Sequence, residues 1–322
     1  MNNALVLLSF GISFVLGIII CPILIPVLKK MKFGQNVREE GPQSHLKKSG
    51  TPTMGGIMIL AAFLIGSIPF VGYDPHMWFI ICGTLLFGLI GLADDMLKIR
   101  RHQSEGLTAK QKMGLQVIVT AAIILYTALG TDNGTQVLVP FLGMVDFKGW
   151  FYPMAAIAIL GTVNGANFTD GLDGLASSVT SVIAVFFTVC AVILGYGITP
   201  STLSMLGALA AFLCFNCNPA KIFMGDTGSL ALGGFVATVA FSMGMPIFLI
   251  LAAFIYLAEI ISVMLQVGYF KLTHGKRLFR MSPLHHHFEL GGWTETRVVT
   301  VFSIITLCFC VISMAGLLTA VN

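Results

Sequence analysis

An all-α polytopic membrane protein of ten transmembrane helices, with both termini outside, is the fold class this sequence predicts. Three observations carry that expectation. Of 322 residues, 56% are hydrophobic and only 10% charged, at a mean hydropathy of +0.91, whereas a water-soluble globule carries about a quarter charged residues. Disorder is excluded by the same figures, since it needs low hydrophobicity and high net charge. The chain also holds ten apolar runs near the roughly 20 residues that cross a bilayer. Finally, 17 of the 18 Lys and Arg fall in alternate loops on one side, and such enrichment marks the cytoplasmic face. The formal charge of +4 reflects this asymmetry and calls for no nucleic-acid partner.

The first run, 4–28, has no Lys or Arg before Lys29. A signal peptide would place basic residues ahead of a shorter apolar core, so this is a retained helix with its N-terminus outside. The next three runs are 54–72, 77–93 and 112–130. Between the fourth and fifth, residues 131–150 contain Asn133-Gly134, Val137-Leu138-Val139-Pro140 and a second apolar stretch from Phe141. They predict a small extracytoplasmic β-hairpin. The remaining runs are 151–166, 175–195, 200–217, 229–243, 245–267 and 298–320. The inner loops, about 29–53, 94–111, 167–174, 218–228 and 268–297, carry 6, 5, 0, 1 and 5 basic residues, counting Lys112 at a helix edge, and leave Lys148 alone outside. No linker or long repeat divides the chain, so it reads as one integral membrane domain, 1–322. The seven Cys lie in apolar segments and read as small buried hydrophobes.

Ten of the 14 acidic residues lie on the inner side, where carboxylates at membrane helix ends mark function by default. Asp94 and Asp95 close the third run beside Lys98, Arg100 and Arg101. They read either as a solvated helix end or as carboxylates for Mg²⁺ held against phosphates. The loop Asn164–Gly174 contains Asn167, Asp170 and Asp173 and no basic residue, which suits a polar turn or hydrogen bonding to a base or sugar. Asp226 follows Lys221 and Phe223 just before the eighth run. It could simply cap that helix, but a cap leaves the aromatic and the lysine unexplained. His285, His286 and His287 cannot all point one way, so they form no tri-His zinc site by themselves. Glu259 is the sole mid-helix carboxylate, thin support for an ion-translocating transporter. No phosphate-binding loop, zinc-protease or nucleophile-elbow motif is present.

At these clusters the chain resembles the polyprenyl-phosphate N-acetylhexosamine-1-phosphate transferases. The resemblance rests on GTPTMGG (50–56), DDMLK (94–98), NFTDGLDGL (167–175), FMGDTGSLALGG (223–234) and PLHHHFE (283–289). The triple His and the Thr-Pro-Thr-Met-Gly-Gly segment point to the muramoyl-pentapeptide branch. The resemblance implies transfer of phospho-N-acetylmuramoyl-pentapeptide from its UDP carrier to undecaprenyl phosphate, forming lipid I and UMP with Mg²⁺ in the bacterial inner membrane. It also implies roles. Asp226 would be the Mg²⁺ ligand, and Asp94, with Asp95 beside it, would deprotonate or orient the lipid phosphate. Lys98 and His285 would join them in catalysis. Asn167 and Asp170 would support the nucleotide and metal, with Asp173 and Phe223 on uracil. Lys48, Thr53, His286 and His287 would line the phosphates and sugar. The family often has a Lys near position 102, where this chain has His102. A relative with another sugar-phosphate donor is the alternative enzyme, and a homodimer is left open.

Overall fold

The computed structural model describes residues 3–30, 50–101, 103, 105–131 and 133–321; Lys48 and His102 lie outside them. The long helices are α1 (Asn3–Lys30), α2 (Gly56–Ser67, continued by a 3-10 turn to Tyr73), α3 (His76–Arg101), α4 (Ala109–Gly130) and α5 (Phe151–Thr169). They are followed by α6 (Leu175–Leu194), α7 (Thr199–Asn216), α8 (Gly225–Ser242), α9 (Phe254–Leu272), the short α10 (Leu284–Glu289) and α11 (Glu295–Val321).

Eight of the described helices, all but α5, α8 and α10, are long and apolar enough to cross a membrane, so the chain is a multi-pass membrane protein. The shortfall of α8 has a physical cause. Every residue from Thr227 to Ser242 is buried by protein, so this central helix is solvated by its neighbours and can hold Gly, Ser and Thr. Around it pack α3, α5 and α2.

The hairpin is present between α4 and α5. Strands β1 (Gln136–Val139) and β2 (Gly143–Asp146) pair antiparallel, Gln136 opposite Asp146 and Val139 opposite Gly143. Leu138 N–H donates to the Gly244 carbonyl at 2.8 Å and Phe141 N–H to that of Gly316 at 3.0 Å. The hairpin thus covers the ends of α8 and α11 farthest from Asp226.

Four expectations need correction. The third helix does not stop at 93 but runs to Arg101, so Asp94, Asp95 and Lys98 are helical. The ninth run is not one helix. Pro246–Phe248 forms a 3-10 turn, Leu249–Ala252 a single helical turn, and α9 starts only at Phe254; the proline lacks an N–H and favours a helix start over an interior. Asp226 lies inside the first turn of α8, whose N-cap is Met224 without a side-chain cap. Of the cysteines, Cys21, Cys190 and Cys310 are buried, but Cys82, Cys214, Cys217 and Cys308 face outward.

Candidate active site

The end of the bundle formed by the C-termini of α3 and α5 and the N-termini of α4 and α8 gathers the carboxylates. Gly91, one turn before Asp94, makes the approach of α3 to α8 achievable. A Cβ there would lie 2.0 Å from the Asp226 carbonyl oxygen and 2.6 Å from the Thr227 nitrogen. With the backbones so close, Asp95 reaches across. Its Oδ1 accepts the Asp226 N–H at 3.2 Å, and its Oδ2 accepts the Thr227 N–H at 2.8 Å and the Thr227 hydroxyl at 2.7 Å. The cap that α8 lacks locally therefore comes from α3, and a carboxylate suits the positive end of a helix dipole.

Asp94 accepts the Leu107 N–H at 2.7 Å and pairs with Lys98 Nζ at 2.6 Å, the i,i+4 geometry of one helix face. Lys98 Nζ also lies 2.7 Å from Asp226 Oδ2 and 3.8 Å from Asp95 Oδ1. A second ammonium, Lys112 Nζ, stands 2.9 Å from Asp226 Oδ2 and 3.2 Å from Asn167 Oδ1. Asn167 Nδ2 donates to Asp226 Oδ1 and to Ser229 Oγ, both at 2.8 Å. Oxygen atoms of Asp94, Asp95 and Asp226 all lie within 4.8 Å of one another. Three hard oxygen donors focused on one spot, neutralised there by an ammonium, fit a divalent cation.

Asp170 caps the end of α5. Desolvation, then the Asp226, Asp95 and Asp173 carboxylates, push its carboxyl well above the ordinary range. A bound cation would relieve that repulsion. Asp173 is buried, and its Oδ2 accepts from Asn218 Nδ2 at 3.1 Å and Ala220 N–H at 3.0 Å, holding the loop that leads to Phe223. Phe223 is partly exposed, and its backbone pairs with the 52–55 segment, its N–H to the Pro52 carbonyl and its carbonyl to Gly55 N–H, both at 2.8 Å. That pairing brings Thr53 beside Gly225, where an added Cβ would lie 2.9 Å from Thr53 Oγ1.

The three histidines of α10 have three surroundings. His285 is buried. Its Nδ1 lies 3.1 Å from Glu259 Oε1, while its N–H and that of Leu284 donate to Glu259 at 3.3 and 2.7 Å. Its Nε2 faces Gly171, where a Cβ would intrude to 2.1 Å, so the His segment is docked on the loop carrying Asp170 and Asp173. His286 Nδ1 lies 2.7 Å from Glu289 Oε2, and His287 Nδ1 accepts the Arg280 N–H at 3.1 Å.

Sequence reasoning missed Lys112 and the anchoring role of Glu259. Lys112 had a legible signal: Thr108 and Gln111 form a reciprocal capping box, which fixes the start of α4 and puts Lys112 in its first turn. Glu259 had none, because its partners lie 25 and 26 residues away.

Residues 77–244 match the profile of Glycosyl transferase family 4, and residues 48–60 match Phospho-N-acetylmuramoyl-pentapeptide-transferase signature 1. The chain is 47% identical over 315 residues to the phospho-N-acetylmuramoyl-pentapeptide-transferase of Clostridium perfringens (strain 13 / Type A), covering 97% of this chain and 98% of that one. The chain belongs to the phospho-N-acetylmuramoyl-pentapeptide-transferase family. The Thermoanaerobacter sp. (strain X514) transferase of the same name is 48% identical over 306 residues, covering 94% of this chain and 95% of its own. That of Clostridium novyi (strain NT) is 47% identical over 322 residues, with 98% of each covered. Within the signature, residues 52–55 are the stretch whose backbone pairs with that of Phe223.

Proposed function

We propose that the chain transfers phospho-N-acetylmuramoyl-pentapeptide from UDP-N-acetylmuramoyl-pentapeptide to undecaprenyl phosphate, a step of peptidoglycan synthesis that yields lipid I and UMP. The observation that carries this reading is the convergence of Asp94, Asp95 and Asp226 with Lys98 and Lys112 at one end of the bundle, in a chain nearly half identical to enzymes of that name. Phosphoryl transfer asks for positioning and charge neutralisation more than for covalent chemistry. An oxygen of the lipid phosphate attacks the β-phosphorus of the donor, and the bond from that phosphorus to the oxygen bridging to the UMP phosphate breaks. UMP leaves with the bridging oxygen.

Mg²⁺, when bound, would neutralise the diphosphate and polarise the bond that breaks. Asp226 would hold it, with Asp94 close by and Asp170 and Asn167 flanking. Asp95 is the least free of the three, since both its oxygens serve the start of α8. Asp94 is therefore the group that orients or deprotonates the lipid phosphate. Lys98 and Lys112, both beside Asp226, would meet the phosphates. Lys48 and Thr53 would add to them, and His285, anchored by Glu259, would place His286 and His287 toward the sugar. Phe223 would stack on uracil beside Asp173.

The ten-span topology with both termini outside belongs to this reading, as do the single transferase domain, its cytoplasmic site and its place in the bacterial inner membrane. Single Cys probes in a Cys-free background test the orientation. Residues 103 and 275 should be blocked by a membrane-impermeant thiol reagent only from the cytoplasmic side, and residue 134 from outside. Labelling of residue 103 in intact cells would reverse the topology. For the nucleotide, Phe223→Ala should raise the donor KM about tenfold or more with kcat nearly unchanged, since stacking is worth roughly 1–3 kcal/mol per base and lost uniform binding appears in KM. An unaltered KM would remove Phe223 from the uracil site. The reading as a whole is tested by purified protein given both substrates and Mg²⁺ and assayed for UMP. UDP-N-acetylglucosamine serves as the comparison donor. Release from the muramoyl donor is expected; release from the comparison donor alone would move the chain to a different substrate.

A further inference from the structure

Helix α4 is the least embedded of those that build the site. Its buried residues, Gln116, Val119, Thr120, Ile123, Ile124 and Thr127, form one narrow stripe at helical spacing, while Met113, Leu115, Val117 and Ile118 face outward. A helix held along one stripe and otherwise facing lipid has little apolar shape to fix its rotation, because lipid tails solvate Leu and Val as well as protein does. Yet Lys112 at its start must point at Asp226, and a turn of a few tens of degrees would carry the ammonium away.

One polar contact deeper in the bundle addresses this. Gln116 is fully buried, and its Oε1 accepts Asn164 Nδ2 of α5 at 2.7 Å. Asn164 is itself held by a bond to the Leu160 carbonyl at 2.9 Å. Gln116 lies four residues after Lys112, and Asn164 three before Asn167, so each pair shares a helix face. The Lys112–Asn167 contact, 3.2 Å, and the Gln116–Asn164 contact are thus successive rungs between the same two helices. The outer rung touches Asp226, and the inner rung touches nothing that reacts. Gln116 Nε2 and Thr120 Oγ1 are buried and have no partner among the described residues, so desolvating Gln116 there is costly. A residue kept at that cost, one turn below a charged site residue, has a use other than stability.

We infer that Gln116 and Asn164 are positioning residues, a clamp that sets the rotation of α4 and so delivers Lys112 to Asp226 and Asn167. The inference rests on the transferase reading above. Misplacing a charged group by about 1 Å costs up to a hundredfold in rate, so a loosened clamp should show in kcat.

The test is UMP release by the full chain in defined lipid, with Gln116→Leu, Asn164→Ala, Lys112→Met and the double variants. Gln116→Leu should lower kcat about tenfold, leave donor KM within about twofold, and add nothing in the Lys112→Met background, the non-additivity of residues that act through one another. Asn164→Ala, made on the opposite helix, should behave the same way, which keeps the test open if one variant misfolds. Thr127→Val controls for packing, since that hydroxyl bonds only its own helix, and should leave kcat unchanged. Equal losses in both backgrounds, or wild-type kcat in both clamp variants, would overturn the clamp. A wild-type protein that releases no UMP would instead overturn the underlying reading.

Discussion

Asp226→Asn is expected to lower turnover by about a hundredfold or more while leaving the protein folded. Asn caps a helix about as well as Asp, so a purely capping residue would tolerate the change. The structure removes that alternative at its source, because Met224 is the N-cap and the Asp226 carboxylate points at Lys98, Lys112 and Asn167. The substitution keeps size and hydrogen-bonding reach but takes a full charge from the middle of the site. Removal of one preorganised electrostatic group costs about 10²–10³ in kcat, and a hard cation loses its charged ligand as well. Turnover at limiting and at saturating Mg²⁺, beside thermal unfolding with and without Mg²⁺, checks both halves. Near wild-type turnover at both concentrations would reduce Asp226 to a structural residue.

Asp95→Asn should differ in kind, with stability and activity falling together. Asp95 is buried at 3% exposure and takes three donors from the start of α8. An amide offers only one oxygen and turns an NH₂ group toward those donors. Hydrogen bonds to a charged group are worth about 1.5–3 kcal/mol each, so a loss of about 2 kcal/mol or more in unfolding free energy is expected. Activity should fall too, since the cap sets where Asp226 begins. Asp94→Asn, which leaves the α8 cap intact, should lose activity with far less stability. Equal unfolding midpoints for the two variants would contradict the division of labour between these neighbours.

What the sequence revealed and what it hid follow from the range of each interaction. Eight membrane-length apolar helices among the described residues, and the hairpin between α4 and α5, were legible because burial in lipid and turn chemistry act locally. The same rule mis-set the end of α3. Hydropathy fell at Asp94 and suggested a helix end, but Lys98 at i,i+4 and the α8 terminus across from Asp95 satisfy the charges within the helix. Asp94, Asp95, Asn167 and Asp226 were legible as polar clusters at helix ends, and the structure brings them together. What stayed hidden were contacts between distant segments: Glu259 holding the His285 segment, Asp173 holding the loop before Phe223, and Gln116 meeting Asn164. Each depends on a partner that only the packing of two helices or loops can supply.

In the proposed mechanism, carboxylates from α3 and α8 would together hold the divalent cation on which transfer depends. Mn²⁺ binding, followed by electron paramagnetic resonance on the purified chain in lipid, measures that directly. One Mn²⁺ per chain is expected at the site, displaced by Mg²⁺ and lost in Asp226→Asn. Full Mn²⁺ occupancy in Asp226→Asn, or a wild-type chain that releases UMP in excess chelator with no metal bound, would contradict it.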